Sequence, residues 1–146
     1  MGPRAVGPSR VVQVTLTLDT SALVSLANRR DPGHDRARAA MQAERGPYVV
    51  PAGILAEAAY VLQARLGPAT VETFLRDLEE GRMLLDCGEE DLPRIRELVV
   101  RYSDLPLGFS DASVVACAQR RGGGVLTLDR RDFDVVAGEI PLRVLP

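Results

Sequence analysis

Two apolar runs that each end in an aspartate constrain this chain more than anything else in it. Val11 to Leu26 reads VVQVTLTLDTSALVSL, and Val125 to Asp129 reads VLTLD. Aliphatic and β-branched residues of this kind suit strands buried on both faces. Such strands belong to parallel sheets covered by helices, where ligands bind beyond the carboxyl ends of the strands. Two strands that each deliver an acid to that edge predict a cation site there. Asp19 has a second role open to it, because an Asp just before a helix commonly caps the helix.

The intervening segments fit the same plan. Tyr48-Val49-Val50, Met83-Leu84-Leu85 and Leu142–Leu145 read as further short strands, the last at an edge. Helices are predicted over Ser21–Asn28, then, after an interruption around Arg30-Asp31-Pro32-Gly33, to about Glu44, and over Ala52–Leu66, Ala69–Glu80, Glu90–Tyr102 and Asp111–Arg121. Gly46-Pro47, Gly67-Pro68 and Gly122-Gly123-Gly124 separate them. Strands alternating with helices, without an internal repeat, predict an α/β sandwich with a mostly parallel sheet. At 146 residues the chain suits one core. That gives one domain over residues 11–146, with the Gly- and Pro-rich Met1–Arg10 read as a flexible extension.

Composition narrows the chemistry. All 18 basic residues are Arg, so a P-loop lysine and a Schiff base are excluded. His34 is the only histidine, which disfavours Ser-His-Asp, Cys-His and multi-histidine zinc chemistry. A net charge of −2 predicts no broad basic field. Cys87 and Cys117 form no metal-spaced pair, and Cys117, inside SVVACA, reads as a buried free thiol. No apolar run reaches membrane-spanning length and no signal-peptide core is seen, so a cytoplasmic protein is expected.

Two more acids sit in apolar surroundings. Glu57 is the only charged residue of GILAEAAYVL, with Ile54 and Val61 as helical neighbours. A carboxylate on such a face is costly unless paired or metal-bound; an Arg ion pair is the structural alternative, and a solvated Glu at the rim of the helix is the disfavoured one. Asp111 shares its face with Val114, Val115 and Ala118, although a helix start favours any carboxylate. Asp104 is either a turn residue or a further ligand. Asp132 and Asp134 read as solvated, with Asp132 a candidate supporting group. Carboxylates gathered without a cation repel one another and raise at least one pKa. Oxygen-only ligands suit Mg²⁺ or Mn²⁺, and phosphodiester hydrolysis by metal-activated water is the matching reaction.

LDTSALVSL, ILAEAAYVL, DLPLGFSDASVVACAQRRG and VLTLDRRDF, in that order, resemble the four signature regions of PIN-domain ribonucleases. The nearest resemblance is to VapC-type toxins of bacterial toxin–antitoxin pairs, and it runs from about Val11 to Pro146. It implies a three-layer α/β/α sandwich, Mg²⁺- or Mn²⁺-dependent RNA cleavage, a homodimer and inhibition by a small cognate antitoxin. By position, the implied catalytic and metal-binding quartet is Asp19, Glu57, Asp111 and Asp129. Ser21 and Thr127 match polar positions that arrange the acids or a water, and Asp104 matches a less central acid. Arg29, Arg30, Arg120, Arg121, Arg130 and Arg131 suit RNA phosphates, though for each one taken singly a solvated surface arginine is the favoured reading. A catalytically silent PIN-fold interaction module is the alternative from another class, and four intact acids speak against it. A haloacid-dehalogenase-type phosphatase needs a second Asp where this chain has Ser21, and a Lys that it lacks.

Overall fold

Five short strands form one sheet in the computed structural model, which describes residues 15–146. Met1–Arg10, and the part of the first predicted strand before Thr15, lie outside the described residues. The strands are β1 (Leu16–Leu18), β2 (Tyr48–Pro51), β3 (Leu84–Asp86), β4 (Gly124–Leu126) and β5 (Arg143–Leu145). Their order is β3-β2-β1-β4-β5, and every pairing is parallel. The two strands that lead into aspartates are therefore central neighbours, with Leu18 opposite Leu126. Leu16, Leu18, Val125 and Leu126 have no solvent exposure, as the unbroken apolar runs require.

The chain proceeds from β1 outward through β2 to β3, then returns to the other side of β1 for β4 and β5. The order thus reverses between β1 and β4, and a crevice opens at such a switch point. Helices α1 (Thr20–Ala27), α2 (His34–Glu44), α3 (Leu55–Leu66) and α4 (Pro68–Glu79) fill the first two crossovers. Helices α5 (Leu92–Arg101) and α6 (Phe109–Arg120) return the chain to β4, and α7 (Arg131–Ala137) leads to β5. Right-handed crossovers place the first four on one face and the last three on the other. Within these layers α1 packs on α2 and α3, α3 on α4, and α5 on α6. This is the expected three-layer α/β/α sandwich.

Three details depart from the sequence reading. The segment after Asp129 forms α7, which buries Phe133 and Val136. Short 3-10 turns, Ala52–Ile54 and Glu89–Asp91, precede α3 and α5. Cys117 is not a free thiol: it forms a disulfide with Cys87, with Cα atoms 5.5 Å apart. The pair is separated by 30 residues in the chain, and only the packing of α6 against the loop after β3 brings them together. Among the described residues no helix is long and apolar enough to cross a membrane.

Candidate active site

A parallel sheet delivers strand C-termini and helix N-termini to the same edge, and this edge collects acids. Asp19 is the N-cap of α1. Glu57 and Asp111 are the third residues of α3 and α6, and Asp132 is the second residue of α7. Asp129 lies just before α7. The partial positive charge of each helix start favours a carboxylate there.

Asp19 is almost completely buried, at 6% exposure. Its Oδ1 accepts from the Ala22 amide at 3.0 Å, so it does cap α1, and from Ser21 Oγ at 2.7 Å. Its Oδ2 accepts from Thr127 Oγ1 at 2.7 Å, across the β1–β4 junction. A carboxylate offers about four acceptor directions, so about one is left for an incoming group. Burial raises the Asp19 pKa, the three hydrogen bonds oppose that rise, and the nearby Asp129 charge adds to it. The two hydroxyls also fix the loop after β4, because Ser21 Oγ accepts from the Leu128 amide and Thr127 Oγ1 from the Asp129 amide. Ser21 and Thr127 therefore hold both the acid and the loop that carries the next one.

Asp111 is half-buried, and its pKa is pushed up to about 6. Burial is the largest cause, followed by repulsion from Asp19, Asp132, Asp129 and Glu57. All four sequence-selected acids thus act within one electrostatic field, joined by Asp132. Asp132 is the acid that sequence reasoning placed mainly in solvent, yet its side chain is only 20% exposed. The run DRRDF offered a signal, because a helix beginning at Arg131 with Phe133 buried turns Asp132 back toward the sheet edge. Asp104 lies in the exposed turn after α5 and is not among the charges that raise Asp111.

Glu57 differs from its sequence reading. Its helix buries Ala58 and Leu62, while Glu57 itself is exposed. Its oxygens accept from Thr20 Oγ1 at 2.6 Å and Ser110 Oγ at 3.1 Å, not from an arginine. The apolar neighbours Ile54 and Val61 serve the core from an adjacent side of the helix. Gly53 lets the turn before α3 approach α6, since a Cβ there would lie 2.4 Å from Ser113 Oγ.

The arginines divide into two sets. Arg29 and Arg30 are exposed in the turn after α1. Arg130 pairs with Asp134 and Arg131 with Asp132, leaving Arg131 86% exposed. Arg120 and Arg121 are committed elsewhere, to Asp86, Glu90 and Asp91 at the far end of α6. These two therefore sit with the acids beside β3 and α5, at the end of α6 away from Asp111.

Oxygen donors of one charge type suit a hard divalent cation. Among the described residues no three acids are already gathered closely enough to hold an ion outright. Mg²⁺ does not require that, since it usually keeps several waters and binds through one or two carboxylates plus substrate phosphate. The donor set therefore fits such a cation. Asp19 is buried, Asp111 and Asp129 are partly buried and Glu57 is exposed, so the acids run from the sheet edge out to the surface. An apolar groove of about 570 Å³, lined by residues including Leu23, Leu26, Met41, Leu62, Phe74 and Met83, lies apart from them.

Comparison with known proteins agrees with this geometry. The family described as the PIN domain matches residues 16–139. Ribonuclease VapC26 of Mycobacterium tuberculosis is 31% identical over 123 residues, covering 83% of this chain and 91% of that protein. The crystal structure of Mycobacterium tuberculosis VapC20, a sarcin-ricin loop cleaving toxin, superposes with a TM-score of 0.74 at 21% identity. That match covers 90% of this chain and 100% of VapC20. DNA-bound VapBC from Salmonella typhimurium gives a TM-score of 0.64 at 21% identity, over 90% of this chain and 96% of that one. At these identities the two structures speak for the fold.

Proposed function

Because the chain belongs to the PIN-domain family, we propose that it is a Mg²⁺- or Mn²⁺-dependent endoribonuclease, the toxin of a VapBC-type toxin–antitoxin pair. One observation carries the metal reading: Asp111, its pKa pushed up to about 6 chiefly by burial, also feels the repulsion of four further carboxylates. Repulsion of this kind is relieved by a cation. Asp19, Glu57, Asp111 and Asp129 would hold the ion, with Asp132 adding charge at their margin. When bound, a divalent cation supplies an activated water and offsets the charge that grows on the phosphoryl oxygens.

The chain's own residues do the positioning. Ser21 and Thr127 orient Asp19 by donating a hydrogen bond to each of its oxygens, which partly opposes the rise that burial imposes on its pKa. Arg29, Arg30, Arg130 and Arg131 are the arginines available for RNA phosphates. A small antitoxin with an apolar segment would find its surface in the groove between α1, α2, α3 and α4. The active form is read as a homodimer that works in the cytoplasm. Reducing conditions there would favour an open Cys87–Cys117 pair, so the enzyme should work with the disulfide reduced as well as formed.

Incubation of the purified chain with total RNA, in Mg²⁺, in Mn²⁺ and in EDTA, tests the proposal. Cleavage should need the metal and should leave a 5′-phosphate and a 3′-OH. A 2′,3′-cyclic phosphate would mean that the RNA 2′-OH was the nucleophile, and the proposed mechanism would be wrong. Co-purification of a small inhibitory protein tests the toxin role separately.

A further inference from the structure

The geometry points to Thr20 and Ser110 as positioning residues that hold Glu57 ready for the cation, an inference that rests on the proposed metal-dependent activity. Thr20 Oγ1 donates to Glu57 Oε1 at 2.6 Å, and Ser110 Oγ donates to Oε2 at 3.1 Å. The three residues come from the first turns of three helices, α1, α3 and α6. Two of these helices cover one face of the sheet and the third covers the other. Thr20 adjoins Asp19 in the chain and Ser110 adjoins Asp111. The latch therefore sets Glu57 relative to Asp19 and Asp111.

The choice of partner distinguishes this arrangement from an ordinary tether. Glu57 is exposed, and an exposed Glu is normally left to water. In this chain of 18 arginines, its two oxygens are instead met by hydroxyls. An arginine would fix the carboxylate and cancel its charge. A hydroxyl supplies one proton, fixes the orientation and leaves the negative charge for a cation. The layers do not need the latch to meet. The turn before α3 already lies against α6, where Gly53 faces Ser113. Ser21 and Thr127 treat Asp19 in the same way, so four hydroxyls orient two acids without neutralising either.

The test measures Mn²⁺ binding by the paramagnetic signal of free Mn²⁺, together with RNA cleavage and melting in EDTA. Thr20→Val and Ser110→Ala should each weaken Mn²⁺ binding about tenfold, the scale expected for partners of a metal ligand. Thr20→Ser should restore it, and melting in EDTA should stay at the wild-type temperature. Combined with Glu57→Gln, neither change should weaken binding further, because both act through Glu57. Wild-type Mn²⁺ affinity in the single variants would overturn the inference while leaving the proposed activity intact. A further loss in the Glu57→Gln background would overturn it too, by placing the hydroxyls' effect on another group. If Thr20→Val melts early in EDTA, Ser110→Ala carries the test alone. A wild type that cleaves RNA in EDTA and binds no Mn²⁺ would remove both the inference and the metal-dependent function.

Discussion

The two ends of α6 carry acids at similar density and treat them in opposite ways. At the C-terminal end, Arg120 donates to both oxygens of buried Asp91, at 3.0 Å each, and also approaches Glu90 and Asp86. Arg121 adds a bridge to Asp86 at 3.1 Å. At the N-terminal end, burial of Asp111 and repulsion from Asp19, Asp132, Asp129 and Glu57 carry its pKa to about 6. The acids at one end are matched by cations of the protein and serve the fold. At the other end Asp19 and Glu57 are oriented by hydroxyls, and Asp132, through Arg131, is the one acid of the group that the described residues pair with an arginine, so the cluster keeps most of its charge.

The strongest way to break this comparison is to neutralise the unmatched end. Asp111→Asn should lower metal-dependent RNA cleavage by at least about 100-fold, the upper range for disturbing a metal site through its partners. The same variant should be no less stable than wild type in EDTA. A variant that keeps full cleavage would remove Asp111 from the chemistry.

The disulfide lies beside the matched end, with Cys87 next to Asp86 and Cys117 one turn before Arg120 and Arg121, and carries no charge itself. Its reduction should cost about 2–4 kcal/mol of stability, as expected for a native cross-link closing a loop of this length. Urea unfolding with and without reductant measures it. Cleavage per folded molecule should be the same in both states.

Breaking the matched end should act on stability alone. Arg120→Ala leaves buried Asp91 without its partner and should cost about 2–3 kcal/mol. That is below the range for a fully buried pair because Arg120 is partly exposed. The folded fraction should retain wild-type Mn²⁺ affinity, and a large loss of affinity would show that the two ends are not independent.

The smallest effect is a pH dependence. The folded pKa of Asp111, about 6, lies above its ordinary value of 3.8. The folded state therefore holds this proton over a range in which the unfolded chain has lost it. Stability from the neutral form is fully present below about pH 3.8 and is lost as pH rises through about 6. After solvent screening the loss should be about 1–2 kcal/mol in EDTA. Asp19 is shifted in the same direction, so the Asp111 contribution is the difference between wild type and Asp111→Asn. Urea melts from pH 4 to pH 7 measure that difference, and saturating Mg²⁺ should flatten it. A difference that does not vary with pH would place Asp111 in water.

Much of the architecture was legible because it depends on local pattern. The apolar runs before Asp19 and Asp129 read as buried parallel strands, and they pair directly at the centre of the sheet. Gly67-Pro68 read as a break, and α3 gives way to α4 there, with Gly67 at φ +95°. The segment after Asp129 was harder. Its helix is 7 residues long and opens with charged residues, so the burial of Phe133 and Val136 is the main thing that defines it. Asp132 gained its place in the acidic field from that helix.

The sequence by itself determined the alternation of strands and helices, the two acid-tipped strands and the presence of Asp111 on a buried helix. These follow from periodicity and from the cost of placing a charge in apolar surroundings, which a chain displays through its near neighbours. Only the tertiary structure decided what compensates each charge. Glu57 meets Thr20 and Ser110 from 37 and 53 residues away, Asp91 meets Arg120 from 29, and Cys87 meets Cys117 from 30. Helical spacing tells which residues share a face, but not which face of another element comes to meet them. That choice belongs to the crossovers that bring α1, α3 and α6 to one edge of the sheet, and it separates the acids of the fold from those of the site.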